Sequence, residues 1–338
     1  ECEAYYALST MLETTEEAEE VIELMTTVKT SVLTPHTRAY AEFALFNCFH
    51  KIKNYDIASK HLQLANKYKL TAHSSNADAL LEKIALSISQ CEATKTTNIN
   101  TSTGERRIFI VGMTRSGSTL LETILSMNPE IQDLGESLSL AKAITKIEQQ
   151  NQGNSSYQDL DELYSQMEPT YNSKYKYTTD KQLYNFIHIN WIVAHMPASK
   201  IIHCSRNPMD NIFSMHRSNL AAGNNYTANL EDAAKVLVAQ EQAMQIQKKR
   251  YPEKIFTFDY DQFVNAPEVN LRKLLGWLDL EFNESYLHPE KSTRSVNTAS
   301  VMQARKPINN KSVGGWKNYE NLLKPALNII QESEITVE

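Results

Sequence analysis

Apolar side chains recur three and four positions apart through residues 1–93, a spacing that is typical of amphipathic helices. Glycine is absent from this stretch, and Pro35 is its only proline. The pattern predicts helices over residues 9–24, 35–51, 55–69 and 77–89, with a short turn at residues 54–56 between the second and the third. The first part of the chain is therefore predicted to be all-helical.

Two of these predicted helices, at about residues 38–70, resemble a tetratricopeptide unit. The small and large packing residues of that repeat correspond to Leu45, Phe46, Phe49, Ala58, Leu62 and Ala65. Glu42 replaces the usual aromatic residue and Leu70 the usual proline, and an upstream copy is only weakly visible. Two interpretations stay open: the helices bind a protein partner or present an acceptor, or they only pack against the next domain.

The pattern changes after a polar, hydroxyl-rich stretch at residues 94–104, which is typical of a linker or an exposed loop. Candidate short strands at 108–111, 176–179, 200–204 and 255–258 then alternate with helical spacing. Such alternation predicts a parallel sheet flanked by helices, with ligands at the carboxyl ends of the strands. The predicted organisation is an all-α tetratricopeptide-like domain at 1–96, a linker at 97–104 and an α/β, P-loop-like domain at 105–338.

One predicted strand leads into a glycine turn and then a helix. The spacing Gly112-x-x-x-x-Gly117-Ser118-Thr119 is that of a phosphate-binding P-loop, except that Ser118 stands where the lysine is expected. Because that lysine reaches the outer phosphates of a triphosphate, its absence favours a smaller phosphate group. Arg115 returns a cation to the loop, and the hydroxyls are expected to cap the helix. Backbone N–H groups at the helix start predict an anion site.

A second strand–loop–helix at residues 200–214 repeats this logic. Arg206 follows the strand, Asn207 and Pro208 suit the cap and first turn of a helix, and Ser214 follows two turns later. The guanidinium fork matches phosphate geometry, so Arg206 and Ser214 are predicted to hold a second phosphate. The alternative is a surface arginine paired with Asp210. Two anion sites at strand ends indicate a nucleotide with phosphates at two separated positions.

Composition narrows the possible partners. The net charge of −6 argues against general nucleic-acid binding, and no apolar run is long enough to span a membrane. No signal peptide is visible. The four cysteines are scattered, which argues against a zinc site or a disulfide framework and favours a reducing compartment.

Residues 106–327, taken with these motifs, resemble the sulfotransferases that use 3′-phosphoadenosine 5′-phosphosulfate. More narrowly, the chain is similar to sulfotransferases with N-terminal tetratricopeptide repeats, and its catalytic part to tyrosylprotein sulfotransferases. The resemblance implies that adenosine 3′,5′-bisphosphate is the product and that no metal is needed. It implies that the nucleotide is bound by Thr114, Arg115, Ser116, Gly117, Ser118, Thr119, Arg206, Ser214 and Tyr260.

The stretch 298–319 matches the family's C-terminal segment, which covers the nucleotide. Gly315 stands where a basic residue is common, so the covering cation is left open among Arg305, Lys311 and Lys317. Thr114 and Asn207 also depart from the usual proline and aspartate. The resemblance therefore implies a covering segment without specifying its cation.

The same resemblance implies the catalytic residues. Glu136 occupies the position of the glutamate base in tyrosylprotein sulfotransferases, with Asp133 as the weaker rival. Arg115 is expected to stabilise the bridging oxygen and the sulfuryl group, while Lys181 and Ser300 match family residues near the transferring and leaving groups. Lys181 could instead be a surface lysine paired with Asp180. A histidine base occurs in other branches, but the histidines here, His188, His195, His203 and His216, are expected to be structural.

Two other functions remain as alternatives: a P-loop nucleotide kinase or NTPase, and a non-catalytic repeat scaffold with a degenerate transferase domain. Ser118 and the lack of an evident magnesium carboxylate count against the first, and the intact candidate residues count against the second. The acceptor stays open among a protein tyrosine, a saccharide, a lipid and a small metabolite. The expected compartment is the cytoplasm, with a secretory-pathway lumen as the alternative.

Overall fold

A computed structural model describes residues 2–28, 33–93, 106–151, 159–292, 306–333 and 335. Its contacts divide the chain into two compact units, and neither is continuous in sequence. The first contains Glu1–Leu81, Asn207–Val238 and Lys311–Glu338; the second contains Glu82–Arg206 and Ala239–Asn310. The boundaries 1–96, 97–104 and 105–338 thus remain a prediction about sequence domains, and the predicted linker lies outside the described residues.

Helices and strands follow one another in chain order. The α-helices are α1 Cys2–Ser9, α2 Thr15–Thr26, α3 Pro35–Lys51, α4 Tyr55–Ala72, α5 Ala77–Ala93, α6 Ser118–Leu125, α7 Ser139–Asn151, α8 Leu160–Met167, α9 Ile189–His195, α10 Pro208–His216, α11 Leu230–Arg250, α12 Tyr260–Asn265, α13 Pro267–Leu278 and α14 Glu320–Glu332. The strands are β1 Arg106–Gly112, β2 Ile131–Asp133, β3 Tyr177–Asp180, β4 Lys200–Ser205 and β5 Ile255–Asp259. Within the described part of the chain, no helix is both long and apolar enough to cross a bilayer.

The helical region begins with two short helices where the sequence predicted one. A single helix over residues 9–24 is wrong, because α1 ends at Ser9 and α2 begins at Thr15. Thr14 starts the new helix through a capping box: its hydroxyl accepts a hydrogen bond from the Glu17 backbone, and the Glu17 carboxylate accepts one from the Thr14 backbone. Local capping thus overrides an apolar pattern that continues across the break.

Helices α3 and α4 pack against each other as an antiparallel pair. Arg38, near the start of α3, donates to the Tyr68 hydroxyl, near the end of α4, and Phe49 stacks on His61. Four of the six repeat-like residues are fully buried, namely Phe46, Ala58, Leu62 and Ala65. The helical region is confirmed, whereas its tetratricopeptide character stays a prediction.

The second unit contains a parallel five-stranded sheet in the order β2-β3-β1-β4-β5. Strand β1 is central, and its Ile108 pairs with Thr179 of β3 on one side and with Lys200 of β4 on the other. The core joins the sheet to α6 and α13, with Ile110, Ile202 and Leu274 among its buried residues. Because all five strands are parallel, the loops that leave their carboxyl ends meet at one edge of the sheet.

Candidate active site

The loop from β1 to α6 is shaped by two glycines with positive φ. Gly112, at φ +140°, lies so close to β4 that a Cβ atom there would be 2.5 Å from the carbonyl oxygen of Cys204. Gly117, at φ +91°, packs against the ring of Tyr260, and a Cβ atom would overlap that ring. Arg115 between them also adopts a left-handed conformation, at φ +68°. Only glycine meets both the φ value and the close approach at positions 112 and 117.

Helix α6 begins with Gly117 as its N-cap, so the cap residue offers no side chain to the first backbone N–H groups. The expectation that the loop hydroxyls cap this helix is wrong for Ser116, whose hydroxyl donates instead to the carbonyl of Met113 at 2.7 Å. Ser118 and Thr119 lie buried inside the first turn. The N–H groups of that turn and the helix dipole together favour an anion.

Arg206 joins this loop from the end of β4. Its Nη1 donates to the carbonyl of Arg115 at 3.3 Å, and its guanidinium lies over the ring of Tyr260, 4.9 Å from the centroid. Tyr260 starts α12 directly after β5 and also packs on Gly117. The structure therefore brings Arg115, Gly117, Arg206 and Tyr260 together at the carboxyl edge of three adjacent strands.

A buried lysine follows β3 at the same edge. The side chain of Lys181 is 1% exposed, and its Nζ donates to Glu136 Oε1 at 2.6 Å. The Lys181 backbone N–H donates to the carbonyl of Gly135 at 2.7 Å, which fixes the loop that carries Glu136. The carboxylate of Glu136 is 53% exposed. Lys181 therefore pairs with the predicted base rather than with Asp180, the alternative that the sequence had left open.

Glu122 of α6 is a second acid beside Lys181, and the sequence reasoning missed it. Its Oε2 lies 4.0 Å from Lys181 Nζ, and its side chain is 1% exposed. The available signal was an acidic residue among the apolar positions Leu121, Ile124 and Leu125 of a helix that is buried on nearly every side. Two carboxylates, one buried and one facing solvent, thus flank a buried ammonium group.

Asp180 belongs to a buried polar layer below this pair. It accepts hydrogen bonds from the Gln182 backbone at 2.9 Å and from the Tyr164 hydroxyl at 2.8 Å. Burial raises the pKa of Asp180 to about 7, and the charge of Glu122 adds to the rise. Arg107 stacks over Tyr164 and forms an ion pair with Asp161. This layer fixes the end of β3 from which Lys181 projects.

The other site residues predicted from the sequence lie in different parts of the chain. Thr114 is half-buried in the loop after β1, and Asp133 is half-buried at the end of β2. Ser214, in α10, and Lys311 belong to the first unit, so their place in one site with Arg206 stays a prediction. Ser300 and Arg305 lie outside the described residues.

The four histidines that the sequence predicts to be structural all lie among the described residues. Burial lowers the pKa of His188 and of His216 to about 4, and the pKa of His195 is lowered for the same reason. His203 shares a hydrogen bond of 3.0 Å with Gln240. Among residues that the structure describes, no three His, Cys, Asp or Glu side chains are grouped as metal ligands. Metal independence stays a prediction.

Comparison with known proteins gives three kinds of match. A family model described as "Sulfotransferase family" matches residues 107–284. An uncharacterized protein of Aquifex aeolicus (strain VF5) is 28% identical over 338 residues, covering 93% of this chain and 44% of that protein. A putative protein-tyrosine sulfotransferase of Caenorhabditis briggsae is 25% identical over 228 residues, covering 63% of this chain and 81% of that protein. The chain thus spans less than half the length of the Aquifex relative.

A solved sulfotransferase domain from the curacin biosynthetic pathway aligns with a TM-score of 0.47 at 20% identity, covering 69% of this chain and 99% of that one.

Proposed function

The chain belongs to the sulfotransferase family, and from that premise we propose that it moves a sulfuryl group from 3′-phosphoadenosine 5′-phosphosulfate to a hydroxyl or amine acceptor, with Glu136 as the base. The observation that carries the proposal is the Lys181–Glu136 pair of 2.6 Å at the same sheet edge as the lysine-free phosphate loop. The ammonium group of Lys181 and the carboxylate of Glu136 are therefore available at the sheet edge that also carries the predicted phosphate loop.

The residues present fit a nucleotide of this kind. Gly112 and Gly117 keep the loop free of Cβ atoms where the backbone is tightest, and Arg115 and Arg206 supply cations there. We assign the 5′ end to the loop through Arg115, Ser118 and Thr119. The sequence predicts that Arg206 and Ser214 bind the 3′-phosphate. It also predicts that Arg305 or Lys311 is the cation of the segment that covers the nucleotide.

The chemistry follows from the roles of these side chains. The bound donor supplies an activated sulfuryl group, whose sulfur gains a bond to the acceptor oxygen as its bond to the departing phosphate breaks. Glu136 accepts the proton that the acceptor hydroxyl loses, for which its exposed carboxylate is accessible. Arg115 and Lys181 stabilise charge on the sulfuryl oxygens and the leaving group, with Ser300 as a further donor.

The decisive experiment measures transfer of labelled sulfuryl groups into an acceptor panel led by tyrosine peptides, since one relative is named a putative protein-tyrosine sulfotransferase. Glu136→Gln is expected to lower kcat by about 10²–10⁴-fold, because proton removal in the transition state is worth that much. Its Kd for adenosine 3′,5′-bisphosphate should stay unchanged. Glu130→Gln is the matched control, since Glu130 forms an exposed ion pair with Lys176.

Three outcomes would count against this proposal. Equal activity of Glu136→Gln and the unmodified chain would exclude Glu136 as the base. Thermal stabilisation by magnesium–ATP alone, with none by adenosine 3′,5′-bisphosphate without magnesium, would favour a nucleotide kinase or NTPase. No response to either nucleotide would favour the non-catalytic scaffold.

A further inference from the structure

A buried carboxylate in α10 holds the backbone of the C-terminal segment. Asp210 is 2% exposed and lies in the first turn of the helix. Its Oδ2 accepts a hydrogen bond from Gly314 N at 2.6 Å, and its Oδ1 accepts one from Trp316 N at 3.0 Å. Gly314 adopts φ +72°, so the chain turns where the carboxylate binds it. Both oxygens of Asp210 are thus engaged by one turn that lies about 100 residues away in sequence.

A second contact fixes the same segment further along α10. Tyr319 ends the 3₁₀-helix Gly315–Tyr319 and stacks on Phe213 with ring centroids 4.5 Å apart. Its hydroxyl lies 2.7 Å from His50 Nδ1, while Arg217 Nη1 lies 3.2 Å from His50 Nε2. Because arginine can only donate, His50 Nε2 accepts and Nδ1 donates to Tyr319. We call these contacts of Asp210 and Phe213 with residues 314–319 the C-terminal clamp.

The clamp occupies the face of α10 that also carries a predicted phosphate ligand. Asp210, Phe213, Ser214 and Arg217 are spaced i, i+3, i+4 and i+7, which puts them on one helical face. A free carboxylate one turn from a phosphate-binding serine would repel the phosphate. In this chain both carboxylate oxygens instead accept hydrogen bonds from backbone N–H groups of the turn, which stabilise the negative charge.

We propose that Asp210 is a positioning residue for the nucleotide: it fixes the Gly314–Trp316 turn against α10, and thereby fixes the face that presents Ser214 and the segment that carries Lys311 and Lys317. This inference rests on the proposed function, because it takes Ser214 as a ligand of the 3′-phosphate. It assigns Asp210 no contact with the nucleotide. Loss of the clamp should therefore weaken binding while leaving the chemical step intact.

The test compares Asp210→Asn with the unmodified chain. An asparagine amide presents an N–H group to one of the two backbone donors, so one hydrogen bond to a charged acceptor is lost. We expect the Kd for adenosine 3′,5′-bisphosphate to rise about tenfold, since such a bond is worth about one factor of ten. The kcat at saturating donor should stay within about twofold. Hydrogen exchange should show loss of protection at the amides of Gly314 and Trp316.

Two further variants separate positioning from general destabilisation. Asn76→Ala removes two comparable hydrogen bonds within the same unit, to Gly223 and Tyr226, and should leave the nucleotide Kd unchanged. Gly314→Ala strains the turn from the other side, with no atom within 4 Å of the new Cβ, and should raise the Kd in the same direction. Gly314→Ala provides the test of the inference if Asp210→Asn does not fold.

The outcomes distinguish a failure of this inference from a failure of the proposed function on which it rests. An unmodified chain that binds the nucleotide, with an unchanged Kd in Asp210→Asn and Gly314→Ala, would overturn the inference alone. A fall in kcat at saturating donor with an unchanged Kd would also overturn it. An unmodified chain that does not bind adenosine 3′,5′-bisphosphate would overturn the proposed function and the inference together.

Discussion

Replacing Lys181 with methionine should destabilise the protein more than replacing either of its acidic neighbours. The Lys181 and Glu122 side chains are each 1% exposed, so the substitution removes a cation that lies beside a buried carboxylate. Breaking a buried ion pair in this way costs about 3–5 kcal/mol. Glu136→Gln should cost about 1 kcal/mol or less, because the Glu136 carboxylate is 53% exposed and solvent screens it.

The double variant Lys181→Met with Glu122→Gln tests whether the buried charge of Glu122 causes the loss of stability. With the buried charge removed, most of the lost stability should return, because replacing both members of a buried pair is often neutral. Urea unfolding at neutral pH measures each free energy of unfolding, and an unchanged m-value shows that the unfolded state is comparable. We expect a coupling energy of about 3 kcal/mol between the two positions. Sulfuryl transfer should stay lost in the double variant.

Lys176→Met is the matched control, because the Lys176 and Glu130 side chains are 58% and 52% exposed. It should change the free energy of unfolding by less than about 1 kcal/mol. An equal stability cost of Lys181→Met with and without Glu122→Gln would show that the ion pair is not the source of the loss. Recovery of transfer together with stability would remove Lys181 from the proposed chemistry.

Two further predictions concern the loop and the layer below it. Gly117→Ala should cost about 1–3 kcal/mol and weaken binding of adenosine 3′,5′-bisphosphate, because a Cβ at φ +91° overlaps the Tyr260 ring. Gly223→Ala, at φ +97° with open space, should show the stability cost without the binding loss, and equal binding losses would contradict the prediction. Asp180 has its pKa raised to about 7 by burial, so its contribution to stability is complete below about pH 4 and is lost as the pH rises to about 7. Asp180→Asn should remove this slope of up to about 1.4 kcal/mol per pH unit in urea unfolding between pH 5 and 7.5, and identical slopes would refute the assignment.

The sheet was largely predictable because its central strands carry dense apolar signals. The runs that became β1, β3, β4 and β5 are short, apolar or β-branched, and followed by polar loops. Strand β2 was not predicted, because Ile131–Asp133 has only three residues and one apolar side chain. Its place at the sheet edge comes from pairing with β3, which no local pattern encodes. The break between α1 and α2 was not predicted either, because the helical spacing of apolar residues continues across it. The local cap at Thr14 starts a new helix there.

The candidate site was predictable residue by residue but not as an arrangement. Turn chemistry indicated Gly112 and Gly117, and family resemblance indicated Glu136 and Lys181. That the last two form an ion pair depends on the chain path between β2 and β3. Glu122 escaped notice because an acidic residue in a helix is read as solvent-facing, whereas packing on both sides of α6 buries it. Charge pairs of this kind are fixed by tertiary structure.

The division of the first unit into three chain segments has a consequence for synthesis on the ribosome. Its helices α1–α4 emerge well before Lys311–Glu338, which belongs to the same unit. At about 5–20 residues per second, the roughly 230 intervening residues take about 10–50 s to appear. Throughout that interval Tyr319, which contacts His50 and Phe46 in the folded unit, has not yet been made. The aromatic side chains of the first helices therefore wait for a partner that is made much later in the same chain, and a chaperone that shields such surfaces would have this interval in which to act.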